Sequence, residues 1–442
     1  MRLKTLAKLE SLSLYTMKIY HISDIHMTRS FLSDWKSYIR KAFIDYVNKT
    51  KAPHSLIVCT GDLVDKGGEE WGNAENAFNV FKEELICPIL KETGICVDHF
   101  IICPGNHDIE RDKDESYVLS GVRNEIRDRG SSAIIKYSTS IIEGDFGPSK
   151  RILEYNKFVR SLYSGCTNVH VSNLGVAFEY DIDRYKVGVA SFNSVWDSYD
   201  DKDHDFGLAI GEPQYNCLKD NLSHCNVKIA AIHHPLDWFC YEKDTVVNWL
   251  IKDYDLVLLG HIHENETGMS QKPNGSFAYN ISPSFSADIR GASGVYVNGF
   301  TEINLSADSQ DVVCHYLVFD IKEREYKLNK DYSEDGEFAF SYRRDGSNFS
   351  ALITRCLKQI QTEFFPRIDS SLIPQKAQTI NTLEDAFVMP PLRRNGDDSQ
   401  RDYSLNDVLN STSNIVLFGN GESGKTVLGS GGKPCVLRID FL

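Results

Sequence analysis

Residues 17–26 read MKIYHISDIH, a β-rich apolar run that ends at Ser23 and is followed at once by Asp24, Ile25 and His26. In an extended chain, residues two apart point to the same side, so Asp24 and His26 reach one point while Ile25 faces away. The construction recurs in HSLIVCTGD (54–62), HFIICPGNHD (99–108), KIAAIHHP (228–235) and YDLVLLGHIH (254–263). Each is a strand signal closed by turn residues and by side chains that carry chemistry. KVGVASFNS (186–194) is a sixth such strand signal.

Amphipathic stretches lie between these runs. Phe31, Trp35, Tyr38, Ile39, Ala42, Phe43, Tyr46 and Val47 keep the three-and-four spacing of one helix face. Residues 74–94 and 149–165 do the same, the first with a stop at Gly94. Strands alternating with helices imply an α/β architecture. From residue 294 the pattern turns to strands only (294–306 and 311–321), which predicts a second, more antiparallel sheet. Residues 348–365 read as one amphipathic helix, and VMPPLRRNGDDSQRD (388–402) as a linker. The expected organisation is an N-terminal extension (1–16), an α/β domain (17–325), a helical and linker region (326–410) and a terminal loop segment (411–442).

Sixty-two acidic against forty-eight basic residues give a formal charge of −14. That balance argues against a broad nucleic-acid-binding face, although a small cationic or metal-bearing site remains compatible with it. Five aspartates between Asp197 and Asp205 read as a solvated loop, since no EF-hand spacing follows. Eleven cysteines without a CxxC pair point to reduced thiols, buried at Cys59, Cys103 and Cys314, in a cytoplasmic protein. No apolar run approaches the ~18 residues of a membrane span, and Lys8 with Glu10 breaks the start as a signal peptide. The sequence sets no oligomeric state.

Each strand-end motif taken alone is a common turn; together, in one order, they form a donor set. Strands of an open α/β sheet project such residues into one crevice beyond their carboxyl ends. Asp24, His26, Asp62, Asn106, His233, His261 and His263 offer oxygen and imidazole donors without thiolates. That chemistry suits manganese first, with iron, zinc or magnesium as alternatives. Seven donors are too many for one tetrahedral ion and about right for two. Two divalent ions against Asp24 and Asp62 leave roughly +2, which attracts a phosphate and acidifies a water.

DxH (24–26), GDxxDxG (61–67), GNHD (105–108), HHP (233–235) and GHIH (260–263) resemble the signature of calcineurin-like metallophosphoesterases. The resemblance implies a four-layer αββα sandwich, two packed β-sheets flanked by helices, with a binuclear metal centre at the loop edge. It assigns Asp24, His26, Asp62 and His263 to one ion and Asn106, His233 and His261 to the other, with Asp62 bridging. His107 then contacts the phosphate and assists the leaving group, and Asp65 orients His107. His233 rather than His234 is the implied ligand. The implied reaction is attack by a hydroxide held between the two ions on a phosphorylated small molecule, a nucleotide or a nucleic-acid end.

Near the end of the chain, GNGESGKT (419–426) follows the apolar run NIVLF and has the form of a phosphate-binding loop. In such a loop the amides from Gly419 to Gly424 and Lys425 hold phosphates, while Thr426 binds magnesium. LEDAFVMPPLR (383–393) and this loop resemble the opening of a NACHT-like STAND NTPase domain. Only sixteen residues follow Thr426, and Gly429, Gly431, Gly432 and Pro434 oppose the helix the loop requires. The expectation is an incomplete nucleotide domain with weak or absent ATP binding.

Overall fold

Two β-sheets carry the runs read as strands. The computed structural model describes residues 16–341, apart from 183–184, 200–202, 204–206, 291–295 and 307–310, together with 415–416 and 437–438. The strands are β1 (Thr16–Ile22), β2 (Leu56–Thr60), β3 (Phe100–Cys103), β4 (Val169–Val171), β5 (Gly175–Ile182), β6 (Tyr185–Phe192) and β7 (Val227–Ala231). They continue with β8 (Leu256–Leu259), β9 (Glu266–Lys272), β10 (Gly275–Ile281), β11 (Gly299–Ser306), β12 (Asp311–Asp320), β13 (Glu325–Leu328) and β14 (Glu337–Ser341).

The first sheet has the order β13-β12-β11-β1-β2-β3, with β14 also against β12; the second runs β4-β5-β6-β7-β8-β10-β9. β1, β2 and β3 are parallel to one another, as are β6, β7, β8 and β10. Parallel strands set all their carboxyl ends on one edge, which is how residues from 24 to 263 come to share a crevice.

The predicted separate antiparallel sheet does not form. β11 pairs antiparallel with β1, from Thr16 opposite Ser306 to His21 opposite Thr301. Late strands therefore satisfy the backbone of an otherwise open edge. This sheet runs on to Ser341, past residue 325 where the sequence pattern closes the domain.

Val58 and Ile102 of the first sheet share one buried cluster with Val189, Ile229 and Leu258 of the second. Ser191 Oγ donates to Ile102 O at 2.7 Å, and the buried His21 ring lies 2.6 Å from Asn280 Oδ1 and 2.9 Å from Thr60 Oγ1. Helices Glu212–Asn221 and Lys243–Asp253 cover the second sheet through Tyr215, Leu218, Val246 and Leu250.

Trp35 and Phe43, on the helical run from Arg29 to Thr50, pack with Phe285, Phe300 and Tyr326 into an aromatic layer. That run is not one α-helix, because a π-type turn occupies Trp35–Ile39. A second π-type turn at Lys82–Ile86 interrupts the 74–94 helix, and Trp35 Nε1 donates to Glu84 O at 2.8 Å between them. Gly94, with φ +71°, ends that segment as expected.

Two helices, Ser116–Arg129 and Ser131–Ile142, have no counterpart in the sequence pattern; they bury Val122, Ile126, Ile134 and Ile141 against Val195 and Trp196. The acidic stretch behind them also departs from the expected solvated loop. Asp197 and Asp203 are buried, Asp203 pairing with Arg123 and accepting from Tyr199 N at 2.9 Å. Burial pushes the Asp197 carboxyl well up. Cys59, Cys103 and Cys314 are buried free thiols, whereas Cys87, Cys96 and Cys240 are exposed.

Contacts divide the chain into units 1–346 and 347–442. Within the second unit, Ile415–Val416 pairs in parallel with Leu437–Arg438. The helix read at 348–365, the linker, and Gly419, Gly424, Lys425 and Thr426 lie outside the described residues.

Candidate metal centre

β1 stops at Ile22 and β8 at Leu259, so the paired donors Asp24/His26 and His261/His263 lie just beyond the strands. Strand alternation is therefore not what aims them, contrary to the reading from sequence. Instead φ is positive at Asp24 (+54°), His26 (+41°), Asp62 (+52°), His261 (+73°) and His263 (+61°). Left-handed non-glycine residues cost roughly 1–3 kcal/mol each and cluster where surrounding structure over-determines them.

That surrounding structure is visible. Asp24 N donates to Gly61 O at 3.1 Å, and His26 N to Asp62 O at 2.8 Å, so the loops after β1 and β2 zip together. From the other side Ser284 Oγ and Ser286 Oγ both donate to Asp24 O at 3.0 Å, while Phe285 N donates to Ser23 O at 2.9 Å. No motif flagged these serines; a polar run after a strand is too common a signal.

Close approach explains two glycines before ligands. A Cβ on Gly61 would stand 2.5 Å from His233 Nδ1, and one on Gly105 would collide with Asp62 N and Oδ1. Asp108, the last residue of GNHD, braces the same loops by accepting from Gly105 N at 2.8 Å and Val64 N at 2.9 Å.

The seven donors converge. His263 Nε2 lies 3.2 Å from Asp24 Oδ1, and His26 Nε2 lies 3.6 Å from Asp62 Oδ2. His233 Nε2 is 3.5 Å from Asp62 Oδ2, 3.1 Å from Asn106 Oδ1 and 3.1 Å from His261 Nδ1. Its other nitrogen is held 2.6 Å from Thr60 O, which fixes the ring. His234 turns aside, with Nδ1 2.9 Å from Ser194 Oγ and its ring stacked on Trp238. It nonetheless shares a ligand-sized cluster with His233 and His261, as Asp24, His26 and His263 do. His107 Nδ1 lies 2.7 Å from Asp65 Oδ1, and His107 N donates to Asp62 Oδ1 at 2.9 Å.

Burial opposes charge at every one of these groups, and mutual pairing decides the outcome. For Asp24 burial raises the pKa, but the His263 hydrogen bond and the charges of His233 and His263 hold it below the usual range. Asp62 is held well below by His233 and His26 in the same way. Against its own burial, His233 is lifted to about 9 by Asp62, whereas burial and His233 together push His261 down to about 4. Against burial, His263 is raised too, by Asp24, so protons drawn to these imidazoles offset the two buried carboxylates, a role that divalent cations fill better.

The residues fit such ions. Asp24 Oδ1 is buried with the His263 imidazole 3.2 Å away, and the oxygen and imidazole donors suit manganese, iron, zinc or magnesium.

Fold and site together define the class: the chain belongs to the calcineurin-like phosphoesterase family, whose model matches residues 17–265. It is similar to the uncharacterized metallophosphoesterase-like protein YydB of Bacillus subtilis (strain 168), 22% identical over 272 residues, or 58% of this chain and 51% of that protein. One component of the nuclease SbcCD of Escherichia coli (strain K12) is 30% identical over 110 residues, 24% of this chain and 25% of that protein. The chain thus spans about half the length of the first of these relatives and a quarter of the second. Among solved structures, Vps29 of Chaetomium thermophilum matches over 74% of this chain and 98% of its own, at 10% identity and a TM-score of 0.30. Among the described residues no helix is long and apolar enough to cross a membrane.

Proposed function

We propose that the chain is a binuclear metal-dependent phosphoesterase of the cytoplasm. The observation that carries the reading is the convergence of Asp24, His26, Asp62, Asn106, His233, His261 and His263 around two buried carboxylates. Asp24, His26, Asp62 and His263 hold one cation, Asn106, His233 and His261 the other, and Asp62 belongs to both. Manganese is the first candidate. When bound, the cations supply Lewis-acid charge to the phosphoryl oxygens and acidify the attacking water.

The protein's own groups do the rest. Asp65 accepts the Nδ1 proton of His107, which sets the tautomer and leaves Nε2 for the substrate. Burial lowers the affinity of His107 for its proton, but Asp65 more than restores it, so the imidazole has a proton to give. The water oxygen bonds to phosphorus, the bond from phosphorus to the ester oxygen breaks, and that oxygen takes a proton through His107. The substrate is a phosphorylated small molecule, a nucleotide or a nucleic-acid end. Metal analysis of the purified chain with a panel of phosphate mono- and diesters tests the reading. A protein that binds no divalent metal, or that cleaves neither ester class when loaded, sinks it.

A second reading is favoured by GNGESGKT and LEDAFVMPPLR: the phosphoesterase domain, about 17–325, is the effector of a nucleotide-switched STAND-type protein. Reading the gene beyond codon 442 tests it. A Walker B acid and helical repeats in frame support it, and their absence removes it.

A further inference from the structure

A second group of metal-ligating side chains lies at the β4 edge of the second sheet. His170 comes from β4, Glu179 from β5 and His224 from the turn between helix Glu212–Asn221 and β7. His170 stands opposite Ala177, so Glu179, two residues further along, shares its face of the sheet. Glu179 in turn stands opposite Gly188 of β6. A side chain there would meet Leu222 and Cys225, with a Cβ only 3.0 Å from Cys225 Sγ. The turn that carries His224 is therefore seated directly on that glycine, beside Glu179.

His224 Nε2 lies 3.3 Å from Glu179 Oε1, and His170 Nε2 lies 3.9 Å from the same oxygen. Around a tetrahedral zinc ion with bonds of ~2.0–2.1 Å, neighbouring ligand atoms stand about 3.3 Å apart. The first distance is already a ligand spacing. The second is longer than a ligand spacing, and the imidazole that has to turn to close it has a side chain 48% exposed. A polar cavity of about 170 Å³, bordered by Asn168, Glu179, Lys186 and His224, gives room for water as a further ligand. The ammonium on that wall is occupied, with Lys186 Nζ 2.9 Å from Asp181 Oδ1.

We infer that His170, Glu179 and His224 form a separate site for one divalent transition metal, with zinc as its natural occupant. Three protein ligands and water are a common zinc coordination. The ion ties the edge strand β4 to β5 and to the turn before β7, and stabilises that edge by binding only the folded chain. Without a metal, the same three residues amount to exposed ion pairs of little consequence.

The test uses the full chain, stripped by chelator and dialysed against zinc alone. The double variant His170→Ala/His224→Ala is expected to hold one zinc ion fewer than the parent and to lose the matching part of the cobalt absorption spectrum. Its rate on any phosphate ester is expected to be unchanged. Repeating the comparison in an Asp62→Ala background makes the count independent of the central site and of its activity. Glu179→Gln, which keeps the shape of the side chain, is expected to lose the same ion. Equal zinc content in parent and double variant, or undiminished binding by Glu179→Gln, overturns the assignment.

Discussion

Two sets of buried carboxylates in this molecule differ in the cations they meet. Behind the 116–142 helices, Asp114 meets Arg151 at 2.9 Å with both side chains 1% exposed. In the first sheet, Glu302 lies 2.5 Å from Lys18 Nζ and 3.4 Å from His315 Nδ1. Asp24 and Asp62 are as deeply buried, but their cationic partners among the described residues are imidazoles, at 3.2–3.6 Å. A guanidinium or ammonium is permanent, whereas an imidazole surrenders its proton near neutrality. The peripheral carboxylates carry their counter-charge within the fold. The central ones are arranged to exchange a proton for a cation from outside.

The largest effect is expected at the carboxylate shared by both proposed ions. Asp62→Ala should abolish hydrolysis and reduce bound metal to one ion or none, as counted by metal analysis. Two retained metals with normal turnover would place Asp62 with the peripheral class and break the comparison. Next comes His107→Ala, expected to keep its metals and lose about 10²–10⁴ in rate. That loss should shrink for nitrophenyl esters, whose leaving groups need little protonation. A loss equal across leaving groups would leave His107 as a phosphate-positioning residue.

The peripheral pairs should respond in stability alone. Arg151→Met leaves Asp114 buried and unpaired, and should cost about 3–5 kcal/mol in urea unfolding. Metal content per folded molecule should not change; if it falls, the two settings are coupled.

Glu302 offers the smallest and most graded test. Burial would raise its pKa, but hydrogen bonds from His315 and Lys18 hold it at about 2 against an ordinary 4.5. A depressed carboxylate contributes stability above the ordinary value and loses it as pH falls toward the folded one. Unfolding free energy should therefore drop between pH 4.5 and 2 by up to about 3 kcal/mol, at ~1.4 kcal/mol per unit. Glu302→Gln should remove that part of the slope, and an unaltered slope would show that the sheet pair is not what stabilises the folded chain.

The donor set was legible because each candidate donor follows closely on a strand, and apolar runs ending in turn residues survive translation into structure. The geometry behind the DxH and HxH spacings was not legible. Side-chain alternation is a property of extended backbone, and left-handed turns set by hydrogen bonds to Gly61 O and from Ser284 Oγ leave no mark on local spacing. The pairing of β11 with β1 escaped for a similar reason, since strand periodicity says nothing about which edge is open. Asp197 and Asp203 read as solvent-facing because the partners that sink them, Arg123 and Ala209 among others, come from elsewhere in the chain. What is non-local in sequence is what a single sequence conceals.

Residues 284–286 point in two directions. Ser284 and Ser286 grip the carbonyl of Asp24, while the Phe285 ring between them lies among Phe31, Trp35, Phe43, Phe300 and Tyr326. The aromatic layer and Asp24 are thus joined through one three-residue strap. A change of ring volume in that layer presses on Phe285, which is bonded to both serines that hold Asp24 O. Selection acting on an oily residue of that layer therefore has a route to the proposed metal centre that touches none of its donors.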